Sequence, residues 1–339
     1  MTVQYRDGIE ITLSDGTRVV CDADDPPSGS ANRTSSGDAD DPPDSDVTVV
    51  SHAHGDHFPE GEATAVCSPL TADLASARRD VPLHATTDER IELLPAGHVA
   101  GSTAALVTDP DGTRYLYTGD VCTRSRFYLD GFEPPDADVL IVETTYGEPE
   151  YVFPDHETVA SDIVSWLRET DEPVLLFGYA LGRAQKLQLL AEEAGRERLF
   201  TTDAVFRVND VVESHLDVSF GAEQYESETE LGPGDALVLP MTTARIDWIG
   251  NLAEETGAVK AGFSGWAVDD AFKFRGDFDE TFPLSDHCDF AELCDLVDAV
   301  DPDRVYTQHG STDAFAETLT RRGYEATALK RNQTALGDF

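Results

Sequence analysis

The sequence predicts an α/β fold, on three observations. The first half is a succession of short apolar runs separated by Gly, Pro and Asp turns, the pattern of strands. From His156 onward, helical periodicity alternates with a buried apolar run, the pattern of a parallel α/β unit. Potential metal-ligating side chains follow strands or open Gly-rich turns, where they can converge at the edge of a sheet.

In order, Ile9 to Leu13 and Arg18 to Cys21 read as strands joined by the Asp15-Gly16 turn signal. From Asp25 to Asp46 there is no large apolar residue, which predicts a flexible acidic loop. Val47 to Val50 resumes the strand pattern, followed by Ile91 to Leu94, Ala104 to Val107, Arg114 to Tyr117 and Val139 to Val142. His156 to Thr170 then reads as helix, Val174 to Gly178 as a buried strand, and Gly182 to Gly195 as helix. Near the end, Asp289 to Val300 sets Phe290, Leu293, Leu296 and Val297 on one helical face, before a short strand at Val305 to Thr307. No internal repeat is visible.

A length of 339 residues favours two structural units over one. Acidic residues number 66 against 24 basic, a formal charge of -42, and only Lys186, Lys260, Lys273 and Lys330 are lysines. In dilute salt such an excess argues against a nucleic-acid partner, because phosphate binding rests on Lys and Arg. At ~1 M salt the Debye length is ~3 Å and the acidic coat is screened. The composition therefore reads as that of a halophilic cytoplasm. A disordered acidic chain is excluded by 40% hydrophobic residues grouped in discrete runs. Cys21, Cys67, Cys122, Cys288 and Cys294 show no CxxC spacing and an odd count, so they read as buried thiols in a reducing compartment. Without an apolar opening segment or a long apolar run, secretion and membrane spanning are not expected.

Ser51-His52-Ala53-His54-Gly55-Asp56-His57 follows the Val47 to Val50 strand and supplies four potential ligands, His52, His54, Asp56 and His57. In a strand-to-loop turn such spacing can serve two ions ~3.5 to 4 Å apart. Imidazole and carboxylate together suit zinc and accept manganese. Further candidates are His98 in Gly97-His98-Val99-Ala100-Gly101-Ser102, Asp120 after Tyr117-Thr118-Gly119, His287 in Ser285-Asp286-His287, and His309 in Gln308-His309-Gly310. His84, His156 and His215 lack such context and read as ordinary surface or packing residues.

Over nearly its whole length the chain resembles the metallo-β-lactamase superfamily, and within it the β-CASP nucleases. The His-x-His-x-Asp-His run, the loop at His98 and Thr118-Gly119-Asp120 look like the superfamily's metal motifs. Val142-Glu143-Thr144-Thr145-Tyr146-Gly147, then Ser285-Asp286-His287, then His309 look like the three additional β-CASP motifs. Tyr179-Ala180-Leu181-Gly182-Arg183-Ala184-Gln185 and Ser264-Gly265-Trp266 are similar to segments of compact prokaryotic members described as mRNA 3′-end processing factor-like proteins or ligase-associated DNA exonucleases.

The resemblance implies a four-layer αβ/βα sandwich interrupted by an inserted α/β β-CASP domain. The expected boundaries are 1–146 and 264–339 for the two parts of the sandwich domain and 147–263 for the insertion. It also implies two divalent ions, Zn2+ or Mn2+, one held by His52, His54 and His98, the other by Asp56, His57 and His309, with Asp120 shared. An ion-activated hydroxide would be the nucleophile. A leaving sugar oxygen needs a proton, which His287 paired with Glu143 can deliver; the alternative for His287 is a cap on the following helix. Asp22 or Asp24 should support the histidines from behind, with Asp22 preferred because it directly follows Val19-Val20-Cys21.

Arg183 and Lys186, at the start of a helix, read as backbone-phosphate contacts or as an exposed helix face. Arg124 and Arg126 either meet the strand near the metals or neutralise local acid. The expected activity is hydrolysis of phosphodiesters in single-stranded nucleic acid, RNA or DNA, with 5′ to 3′ exonuclease action by family analogy. Rival readings are a thioester or tRNA 3′-end hydrolase of the same fold, and a non-catalytic RNA-processing subunit.

Overall fold

The computed structural model describes residues 2–23 and 46–331. Asp24 and the expected acidic loop up to residue 45 lie outside them. The described chain forms two compact units. The first comprises Met1–Ser125, Asp130–Pro149 and Phe290–Phe339, and the second Arg126–Leu129 and Glu150–Asp289.

The first unit contains two six-stranded sheets. One runs in chain order from Thr2–Tyr5 through Ile9–Thr12, Arg18–Cys21, Asp46–Val49 and Ala63–Val66 to Leu83–Thr86. The expected hairpin is antiparallel, with Ile9 opposite Cys21 and Thr12 opposite Arg18. Its turn is closed by Gly16, whose φ of 90° is open only to a residue without Cβ strain. The other sheet runs Ala326–Ala328, Arg304–Gly310, Val139–Thr144, Arg114–Tyr117, Thr103–Thr108, Ile91–Pro95. Alternation decides how the sheets meet. Ile9, Ile11, Val19, Cys21 and Val49 point from one sheet into a core shared with Ala105, Val107, Tyr115, Tyr117 and Ile141 of the other. Helix Pro69–Arg79 packs on the first sheet, and Phe290–Val300 and Thr312–Arg322 on the second, giving the four layers expected. Polar residues hide strand ends from a reading based on apolar runs: Arg304–Gly310 continues past Thr307, pairing in parallel with Val139–Thr144 through Gln308 and Gly310, with a register shift at His309 between them.

The second unit is built on a wholly parallel six-stranded sheet in the order Glu223–Gln224, Leu199–Thr201, Ala236–Pro240, Val174–Gly178, Val259–Phe263, Glu280–Phe282. Val174–Gly178 is apolar throughout because both its faces are covered. Val174 and Leu176 join one core, with Ile163, Leu167 and Leu187 of the flanking helices. Leu175 and Phe177 join another, with Ile249 and Phe278. Glu280–Phe282, which lies beyond Ser264, pairs with Val259–Phe263, so the second unit reaches Asp289. Among the described residues no helix is long and apolar enough to cross a membrane.

Candidate metal centre

Strands Arg18–Cys21 and Asp46–Val49 run side by side in parallel, so Asp22 and Ser51 emerge together at the sheet edge. Asp22, at φ 51°, accepts from the Ser51 backbone N–H at 2.7 Å and from Ser51 Oγ at 2.5 Å. It also accepts from Tyr117 OH at 2.8 Å and lies 3.0 Å from His57 Nδ1. A carboxylate offers no proton, so when the His57 ring is neutral its proton sits on Nδ1 and Nε2 carries the lone pair. The Ser51 hydroxyl spends its proton on Asp22 and therefore accepts from His52 Nδ1, 2.9 Å away. That frees His52 Nε2 in the same manner.

Glycine brings the other loops into this corner. A Cβ on Gly97 would lie 2.2 Å from Cys122 O, and one on Gly119 would lie 2.6 Å from the Ser51 side chain. The loops bearing His98 and Asp120 approach at that distance because neither glycine has a side chain. The Cys122 N–H to Ala96 O bond at 2.9 Å fastens them.

Four ligand atoms result, from His52, His54, His98 and Asp120, all within 4.8 Å of one another. His54 Nδ1 is 3.0 Å from His52 Nε2 and 3.3 Å from His98 Nε2. Asp120 Oδ2 is 3.4 Å from His52 Nε2 and 3.5 Å from His98 Nε2. A tetrahedron with arms of about 2.0–2.1 Å has edges of about 3.3 Å, so this set fits a divalent ion of zinc's size and ligand preference. The second expected trio is looser. His57 Nε2 is 3.9 Å from Asp56 Oδ1 and 3.9 Å from Asp120 Oδ2, and the His57 and His309 ring centres are 6.2 Å apart. His309 stands at the exposed end of its strand with φ 55°, its carbonyl held by Thr144 Oγ1 at 2.6 Å. Asp120 Oδ2 is thus close to histidines of both trios.

The field here favours positive charge. Burial disfavours protonation of His57, but Asp120, Asp22 and Asp56 outweigh it and lift the pKa to about 10. Partial burial raises Asp56, and His57 above all pulls it back below the ordinary carboxylate value.

Glu143, almost fully buried, ends the Val139–Thr144 strand core. Its Oε1 accepts from the Val121 N–H at 3.0 Å, and its Oε2 from the Thr145 N–H at 3.1 Å. His287 belongs to the second unit, half-buried, its backbone N–H donating to Ser285 Oγ at 3.1 Å.

The expectation for Arg183 and Lys186 needs correction. Both are buried, Arg183 Nη2 lying 2.9 Å from Asp286 Oδ2 and Lys186 Nζ bonded to Asp286 Oδ1. A cation removed from water requires a counter-charge, and Asp286 supplies it. They are internal supports, neither phosphate contacts nor an exposed face. Arg126, also buried, donates to the Asp286 carbonyl at 2.9 Å. Arg124 Nε lies 2.8 Å from Glu292, the acid-neutralising option for that residue.

Sequence reasoning missed Ser51, Tyr117 and Arg79. Arg79 donates to Phe58 O at 3.0 Å and to Gly55 O, and its guanidinium stacks on the Phe58 ring at 4.3 Å, so it brackets the Asp56-His57 pair. Strand alternation could have pointed to Tyr117; nothing local distinguishes Arg79.

No family model matches the chain. It is 34% identical over 289 residues to a probable DNA ligase of Opitutus terrae, covering 80% of this chain and 28% of that protein. It is 33% identical over 111 residues to an RNase J-like protein of Methanocaldococcus jannaschii, covering 31% and 26%. It is 36% identical over 110 residues to cleavage and polyadenylation specificity factor subunit 3 of Dictyostelium discoideum, covering 31% and 14%. The chain therefore spans less than a third of the length of these curated relatives. A solved structure of a protein of unknown function from Enterococcus faecalis aligns over 98% of both chains with a TM-score of 0.63 at 13% identity, which speaks to the fold alone. Fold, the histidine and aspartate cluster and these relatives agree: the chain belongs to the metallo-β-lactamase superfamily, in its β-CASP branch.

Proposed function

We propose that the protein is a metal-dependent nuclease that hydrolyses phosphodiester bonds in single-stranded nucleic acid, with two Zn2+ or Mn2+ ions as its resident metals. The observation that carries the reading is the close set of His52, His54, His98 and Asp120, with ligand atoms all within 4.8 Å of one another and Asp120 also 3.9 Å from His57. Asp56, His57 and His309 would hold the second ion. When bound, the ions supply Lewis acidity and lower the pKa of water from 15.7 to about 7. The protein's own part begins with orientation: Asp22 fixes the proton of His57 directly and that of His52 through Ser51. His287, as an imidazolium, would give its proton to the departing sugar oxygen, and Glu143 would steady that charge. Relatives named for DNA and for RNA make both polymers substrates to test. The acidic, lysine-poor composition suits work in a salt-rich cytoplasm.

The test is degradation of end-labelled single strands of DNA and RNA in molar KCl with zinc or manganese. Wild type should shorten one or both. Asp120→Asn should be inactive, and His287→Ala should retain metal yet lose roughly 10²–10⁴-fold in rate. Equal degradation by all three proteins would falsify the assignment.

A further inference from the structure

The second unit contains a cavity of about 550 Å³ whose lining includes Tyr151, Trp266, Phe272 and Phe278 together with Arg245 and Arg275. None of these residues belongs to the metal centre. The Tyr151 and Trp266 rings meet edge to face with centres 4.9 Å apart, both half-buried, so part of each ring remains accessible. Phe274, beside Arg275 on the same short helix, is 81% exposed.

Topology places this cavity where a parallel sheet binds ligands. From Val174–Gly178 the chain moves to one side of the sheet through Leu199–Thr201 and Glu223–Gln224, and returns to Ala236–Pro240. It then crosses to the other side for Val259–Phe263. Val174–Gly178 is thus the strand at which the winding reverses, and such reversals open a crevice beyond the carboxyl ends of the neighbouring strands. Met241 and Thr242 follow one neighbour, Trp266 follows the other, and all three line the cavity.

Charge narrows the ligand. In a chain with 66 acidic and 24 basic residues, most arginines beside carboxylates are paired, yet neither Arg245 nor Arg275 forms an ion pair among the described residues. The nearby carboxylate of Asp277 is bonded to Lys260 Nζ at 2.9 Å, and feels the charge of Arg245 only at longer range. Two exposed guanidinium groups without a direct ion pair, bordering aromatic side chains, suit an anion that carries a flat ring. The volume lies within the roughly 300–1,000 Å³ of small-molecule pockets. We infer that this cavity takes one nucleotide of a single strand, the base stacking on Trp266 and Tyr151 and the phosphate meeting Arg245 and Arg275. The choice of a nucleotide rests on the nuclease reading, while the site is separate from the metal centre and has no part in bond cleavage.

The test uses the full-length metal-loaded protein with Trp166→Phe and Trp248→Phe, which leaves Trp266 as its sole tryptophan. AMP has no phosphodiester to cut and should quench Trp266 emission saturably; adenosine should do so more weakly and inorganic phosphate not at all. Arg245→Gln with Arg275→Gln, both exposed positions, should raise the Kd for AMP about tenfold, towards that of adenosine. On labelled single strands the same pair should raise KM about tenfold and leave kcat unchanged. Unchanged Trp266 emission with AMP, or an unaltered Kd in the arginine variant, overturns the inference. Strand cleavage is scored on the same preparations. Cleavage without an AMP response removes the pocket alone, and an AMP response without cleavage removes the nuclease reading alone.

Discussion

Asp286 shows what a buried carboxylate does when it must answer several cations at once. Burial raises its pKa, but Arg183, Lys186 and Arg126 together more than reverse this and hold it well below the ordinary 3.8. A depressed carboxylate contributes stability that is complete above its unfolded value, and that is lost as the pH falls toward the lowered folded value. Wild type should therefore lose stability steeply below about pH 4, whereas Asp286→Asn should be less stable by about 3–5 kcal/mol at neutral pH and should show a much shallower loss in acid. Urea unfolding at pH 7 and pH 3 measures both, and an acid slope unchanged in the variant would refute the role. At this scale the sequence was legible where ligands are consecutive, as in His52 to His57. It was not legible where contact is tertiary: Arg183 and Lys186 share a helix start with many phosphate-binding residues, and only the folded chain brings Asp286 against them.

At the level of elements, the site is a set of strand ends whose loops interlock. The apolar runs revealed the middle of each strand because alternation and burial select Val, Ile and Leu there. They did not reveal the ends, since Gln308 pairs in the ladder and His309 sits at a register shift beyond it, both without an apolar signal. Helix Pro69–Arg79, with Ser68 accepting from the Thr71 N–H at 3.0 Å and Pro69 in its first turn, carried readable capping signals, but its clamp residue Arg79 did not. The loop glycines allow a direct trial. Gly97→Ala would drive a Cβ into Cys122 O at φ 70°, displacing His98, so the protein should bind fewer ions per chain. Gly112→Ala also has a positive φ, 97°, but meets nothing within 4 Å; it should cost about 1 kcal/mol and keep full metal content. Atomic absorption on the two dialysed variants separates them, and full occupancy in Gly97→Ala would show that the loop does not depend on this approach.

For the molecule as a whole, a formal charge of -42 means that the folded state is opposed by its own field in dilute buffer. Screening should relieve it, so Tm should rise steadily between about 0.1 and 2 M KCl. A flat or falling Tm in scanning calorimetry would remove the halophilic reading. The order of strands along the chain matters for biogenesis as well. Arg304–Gly310 occupies an inner position in its sheet beside Val139–Thr144, and carries His309, yet it is synthesised only after the Glu150–Asp289 stretch that follows Val139–Thr144. Chains emerge from the ribosome N-terminus first. A nascent chain can thus gather His52, His54, His98 and Asp120 early, while Val139–Thr144 waits with an open edge and the second ligand trio stays incomplete. Translation itself withholds the finished centre until the closing strand arrives.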